Sequence, residues 1–152
     1  MTALELVGSV ARILNAGGDA DAALSETARA IRSGLDARAV TIWVRSPGSR
    51  TFYAIASPPE AASAEVIPAP WALPAEPGAT RVPLQRADEL LGQLEAAGLS
   101  ADGARVLRIA GDMVTPFLAS LQLTAALGRE VELRSLEIEE QRRFTELVID
   151  CL

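Results

Sequence analysis

Chemistry in this chain has to come from carboxylates, hydroxyls and guanidiniums. The 152 residues include no His, and all 14 basic residues are Arg, so there is no imidazole base and no Schiff-base amine. The single Cys, Cys151, rules out an internal disulfide and a thiolate metal cluster. Asp88 with Glu89, or Glu65 with Glu76, can be written as a carboxylate pair for acid–base work. Neighbours on a strand point to opposite faces, however, and acidic residues in turns are normally solvated, so neither pair predicts catalysis. The expectation is a module that binds or signals, with no catalytic residue, no cofactor and no metal.

Candidate ligand-binding residues are Thr41, Trp43, Tyr53, Ile55 and Trp71. Thr41 and Trp43 alternate with Val40, Ile42 and Val44 along AVTIWV, while Tyr53 and Ile55 fall in the next apolar run and Trp71 in a proline-rich stretch. Each could instead be plain core; for Trp71 the alternatives are plugging the interior or lining a pocket.

The elements that position these residues follow from periodicity. Leu4, Leu6, Val7, Val10, Ala11, Ile13 and Leu14 have helical spacing, and Gly17-Gly18 stops that helix. Asp19 caps a second helix over 21–35, with Ala23, Leu24, Ala28, Ile31 and Leu35 facing inward. AVTIWV, the turn RSPGSR and TFYAIA predict a β-hairpin. Six of the nine prolines then fall between Ser57 and Ala79, which predicts an irregular surface excursion. TRVPL resumes as a strand. ADELLGQLEAAG fits either a helix or a strand, and we read it as a strand, paired through a connection over 85–88, because Gly92 weakens a helix. Ser100 caps a long helix whose apolar face is Val106, Leu107, Ile109, Ala110, Met113, Val114, Phe117, Leu118 and Leu121, with a kink expected at Pro116. Hairpin-joined antiparallel strands with helices gathered on one side make an α+β fold.

The last 24 residues are helical and would extend about 36 Å, more than a domain of radius of gyration about 15 Å needs for cover. Leu127, Val131, Arg134, Ile138, Gln141, Thr145, Val148 and Leu152 recur at alternating steps of four and three. We read this as a seam for parallel homodimerisation, its apolar members being Leu127, Val131, Ile138, Val148 and Leu152; a lone exposed helix is the alternative. The chain divides into a domain over 1–128 and a coiled-coil linker over 129–152, which is expected to lead into an output domain.

ALSETARAIRSGLDARAVTIWVRSPGSRTFYAIAS resembles the opening of a GAF domain, and TRVPLQRADELLGQLEAAGLSADGARVLRIAGDMVTPFLASLQL resembles its second half. REVELRSLEIEEQRRFTELVIDCL is similar to the helix that joins GAF domains to a following module in bacterial two-component sensors. The resemblance implies a GAF/PAS-like antiparallel sheet of six strands or fewer. It also implies a pocket on the face away from the terminal helices, dimerisation along those helices, and a sensory module of a signalling protein such as a histidine kinase. Family chemistries that need a pocket Cys, a His or several Cys are excluded by the inventory. What remains is non-covalent binding of a small molecule or a partner, or a dimerisation scaffold with a filled core.

Partners are further bounded by charge and hydropathy. A net charge of −6 opposes a phosphate backbone, so nucleic acid is excluded. No apolar run approaches the ~20 residues of a membrane span. The start MTALELVGSVARIL has no early positive charges and reads as an amphipathic helix, not a secretory signal, so a cytoplasmic location is expected.

Overall fold

The computed structural model describes residues 2–62, 65–74 and 77–150, with side chains only as far as 147. Two helices, α1 (Ala3–Asn15) and α2 (Ala20–Leu35), lead into strands β1 (Ala39–Arg45) and β2 (Phe52–Ser57). Strands β3 (Ala79–Arg86) and β4 (Glu89–Ala97) follow, and helix α3 (Ala101–Asp150) closes the described chain. The order is the one the periodicity predicts, and the architecture is α+β.

Local chemistry fixes the helix starts. Thr2 and Glu5 form a reciprocal capping box on α1, and the Asp19 carboxylate accepts from the Ala22 amide at 3.0 Å on α2. Leu6 and Val10, four residues apart, carry the buried stripe of α1. Leu4 does not join them. It lies off that stripe and is exposed.

The four strands form one antiparallel sheet in the order β2-β1-β4-β3. The ambiguous ELLGQLEAA segment is thus a central strand, paired on both edges, and its ladder bonds override a local helix propensity. Its connection to β3 is tighter than expected: Gln85 and Arg86 remain in β3, and only Ala87 and Asp88 make the turn, with Ala87 at φ 55°. Gly92 has a role beyond weakening a helix. A Cβ there would overlap the Trp43 carbonyl and lie 3.0 Å from Leu118 Cδ1, so its absence lets α3 settle on the strand.

One sheet face carries Val40, Ile42, Val44, Val82, Leu84, Leu94 and Ala96, buried beneath the helices with Leu24, Ile31, Leu107, Ala110, Val114 and Leu118. The α3 contacts are spaced by three and four residues, as a helix lying on a sheet requires. Ile109 falls off that stripe and is half-exposed, another correction to the predicted face. Helical assignment continues through Pro116 and Gly128 for 50 residues, about 75 Å. Beyond Ala125 every described side chain through Leu147 is exposed. The distal part of α3 is therefore not folded back onto its own sheet.

The proline-rich excursion contains two short 3-10 turns, Pro59–Ala61 and Pro70–Ala72. It is tied to the start of β2 by a bridge in which the Phe52 and Ile67 amides each donate to the other's carbonyl at 2.8 and 3.0 Å.

Candidate functional site

Alternation along the strands decides which candidate residues can share a site. In β1, Thr41 and Trp43 point away from the helices, because Val40, Ile42 and Val44 take the core side. Register then places Glu95 opposite both Thr41 and Arg81, so three strands contribute one polar row on the outer face. Leu73 and Pro74 from the excursion, with Ala61, close over this row. The result is a shallow cleft of about 240 Å³.

Trp43 is buried and forms a wall of the cleft. Arg81 Nε lies 3.5 Å from a Glu95 carboxylate oxygen, an ion pair whose alignment leaves Nε without a hydrogen bond. Arg81 Nη1 donates to the Trp71 carbonyl at 3.3 Å, linking the excursion to the sheet. Gln93, cross-strand from Trp43, is buried with its amide nitrogen unpartnered. A buried donor without a partner costs about 1–3 kcal/mol, and Gln93 lies beside the cleft without lining it.

Three of the five candidate residues lie elsewhere. Tyr53 and Ile55 pair with Val44 and Ile42 and share their helix-side face, where both pack against the core. The Tyr53 hydroxyl donates to an Asp21 carboxylate oxygen at 2.9 Å. Burial first, then that hydrogen bond and the charges of Asp21 and Asp19, raise the phenol pKa well above its ordinary value. Trp71 stands edge-on to Phe52, centroids 5.9 Å apart, and is 52% exposed, so it neither plugs the interior nor walls the cleft. The cleft residues that sequence reasoning missed include Arg81, Glu95, Leu73 and Pro74. Period-two alternation in β3 and β4 was available as a signal; register was not.

The cleft offers binding groups: a hydroxyl, an ion pair and an indole wall. The Asp88–Glu89 pair does not assemble there. Glu89 pairs with Arg45, Asp88 lies in the β3–β4 turn, and Glu76 falls outside the described residues. Among the described residues no group of three or more His, Cys, Asp or Glu is placed to hold a metal ion.

Of the predicted seam, Leu127, Val131 and Ile138 are 53%, 63% and 66% exposed, while the Val148 side chain and Leu152 lie outside what the structure describes. Leu133, Leu136, Phe144 and Leu147 are exposed as well. At about 100° per residue these four fall on the opposite side of α3 from the seam, so the distal helix is apolar on two sides.

A small antiparallel sheet with both terminal helices on one face and a cleft on the other defines a GAF-type fold. The comparison with solved structures bears this out. The GAF domain of a Coxiella burnetii phosphoenolpyruvate-protein phosphotransferase aligns with a TM-score of 0.64 at 13% identity, covering 82% of this chain and 96% of that one. The GAF domain of the Acinetobacter phosphoenolpyruvate-protein phosphotransferase gives 0.61 at 10% identity, covering 77% and 92%. A bacteriophytochrome from R. palustris gives 0.53 at 10% identity, covering 88% of this chain and 41% of its own. No protein-family model matches the sequence, and no curated protein matches it. In the described residues no helix is long and apolar enough to cross a membrane.

Proposed function

We propose that the chain is a cytoplasmic sensory or regulatory module of a bacterial signal-transduction protein. It senses a small ligand or partner and relays its state through a dimeric α3 to an output domain such as a histidine kinase. The observation that carries this reading is the division of α3: residues up to Ala125 are packed on the sheet, and the next 22 are exposed while carrying two apolar sides. Exposed apolar stripes of this length mark an interaction surface. Leu127, Val131 and Ile138 supply the dimer contact, and the opposite stripe supplies a contact to further helices. Signal passes only if the ligand favours one of two packings of α3, since equal affinity for both shifts nothing. The module regulates and does not catalyse; residues 1–128 act as the sensor and 129–152 as the linker.

The test compares chemical cross-linking and light scattering for the full chain and a form ending at Gly128. The full chain should dimerise and the short form should not; equal dimerisation of the two sinks the relay.

A second reading is a dimerisation scaffold that binds no ligand. It is favoured by the 240 Å³ of the Trp43 cleft, which is below the roughly 300–1,000 Å³ of ordinary ligand sites. Metabolite-induced change in Trp43 fluorescence, read in Trp71→Phe, separates the two readings: saturable change supports the sensor, and none supports the scaffold.

A further inference from the structure

One group of unpaired positive charge lies on neither sheet face. It lies where α3 leaves the domain. The tip of the β1–β2 hairpin, the β3–β4 turn and α3 line an open cleft of about 570 Å³ with an apolar floor that includes Leu91 and Ala119, the largely exposed Leu123 standing beside them. Its rim holds Arg45, Arg86, Arg129 and Glu89.

These four charges are not equivalent. Arg45 is committed: it pairs with Glu89, and its Nε donates to the Ser49 carbonyl at 3.0 Å. The Arg45 carbonyl in turn accepts from the Gln122 side-chain amide at 2.8 Å, which ties α3 to the hairpin. Arg86 and Arg129 have no ion pair among the described residues. The Arg129 guanidinium lies against Gly48, at φ 71°, in the space a Cβ would occupy, so the hairpin tip is shaped to admit it. Three Arg against one Glu leave the rim with a formal charge of +2, in a chain whose total is −6. Both guanidiniums line one cavity at exposed positions, and an anion between them would offset what repulsion solvent leaves unscreened.

We propose that this cleft binds a small phosphomonoester with an apolar body, its phosphate held between Arg86 and Arg129 and its body resting on the apolar floor. A phosphomonoester carries about −1.5 to −2 at neutral pH, close to the excess on the rim, and the planar guanidinium fork matches phosphate oxygens. A monocarboxylate would leave one guanidinium uncompensated. Because Arg86 belongs to the sheet and Arg129 to the first exposed turn of α3, the bound phosphate bridges the domain to its projecting helix. The site requires neither the Trp43 cleft nor dimerisation, so it goes beyond the sensor reading and stands or falls separately from it.

Calorimetric titration of the full chain with phenyl phosphate at low salt is the test, with benzoate as the comparison. Saturable one-to-one binding is expected, roughly tenfold or more tighter than benzoate. Arg86→Gln and Arg129→Gln should each weaken it about tenfold or more, while Arg108→Gln, on an exposed early turn of α3, leaves it unchanged. Amide shift changes in the unaltered chain give a readout independent of variant folding, and they should centre on Gly48, Ser49 and Gln122. The proposal is overturned by absence of saturable binding, by equal affinity for benzoate, by parent-like affinity in both Arg variants, or by shifts centred elsewhere.

Discussion

Residues 101–125 and 126–150 of α3 belong to one unbroken helix, yet different forces hold them. The first half is fixed by burial. Leu107, Ala110, Val114 and Leu118 are enclosed by the sheet, and Gly92 gives way to admit them. The second half has no such cover. Within the described chain it relies on backbone bonds and on pairs such as Glu130 with Arg134 at 2.8 Å, each contributing about 0.2–0.5 kcal/mol. Identical backbone geometry thus conceals an anchor and a lever. A substitution should be felt according to which half it strikes.

The comparison breaks first at the anchor. Leu107→Ala should lower unfolding stability by about 2–5 kcal/mol in a denaturant titration, because the fully buried side chain leaves a cavity. If stability hardly moves, the proximal half is not held by burial. Gly92→Ala should cost about 1–3 kcal/mol in the same measurement, since the added methyl pushes on the Trp43 carbonyl and on Leu118. On the lever, Val131→Asp combined with Ile138→Asp should change the stability of the monomer by no more than about 0.5 kcal/mol. Self-association measured by sedimentation should nevertheless fall roughly tenfold or more. Loss of monomer stability instead would place those side chains against the domain.

The smallest effect is expected at Tyr53, and it sharpens the picture of α2 on the sheet. Its phenol pKa is raised in the folded state above the ordinary 10.0, so its contribution to stability is complete below about pH 10 and is lost as pH rises through the folded value. The chain has no Lys and one Tyr, so few other groups titrate in this range. Melting temperature should decline above pH 10 in the parent chain and decline less in Tyr53→Phe; parallel curves would remove Tyr53 from the account.

Legibility of the fold varied with the kind of signal involved. Helices α1 and α2, the first hairpin and the long α3 were all readable, because capping Asp19, Gly17-Gly18 and RSPGSR are local signals. ELLGQLEAA was readable only by arguing against its own propensity. The site was legible in part: Thr41 and Trp43 came from alternation within one strand and do share the outer cleft. Tyr53 and Ile55 were grouped with them without a register, and one step of register exchanges the two faces of a strand. Thr41 and Glu95 meet only because β4 inserts between β1 and β3, and nothing in either residue's neighbourhood announces that order.

Sequence alone determined the inventory and the local elements: no imidazole, no amine, a single thiol, two capped helices, and a final helix longer than its domain can cover. These follow from composition and short-range periodicity, which depend on no distant residue. Tertiary structure decided the strand order, the face each aromatic occupies and the cleft that Arg86 and Arg129 both line. All of these depend on residues far apart in the chain being brought together, and register and packing fix that only when the whole sheet forms.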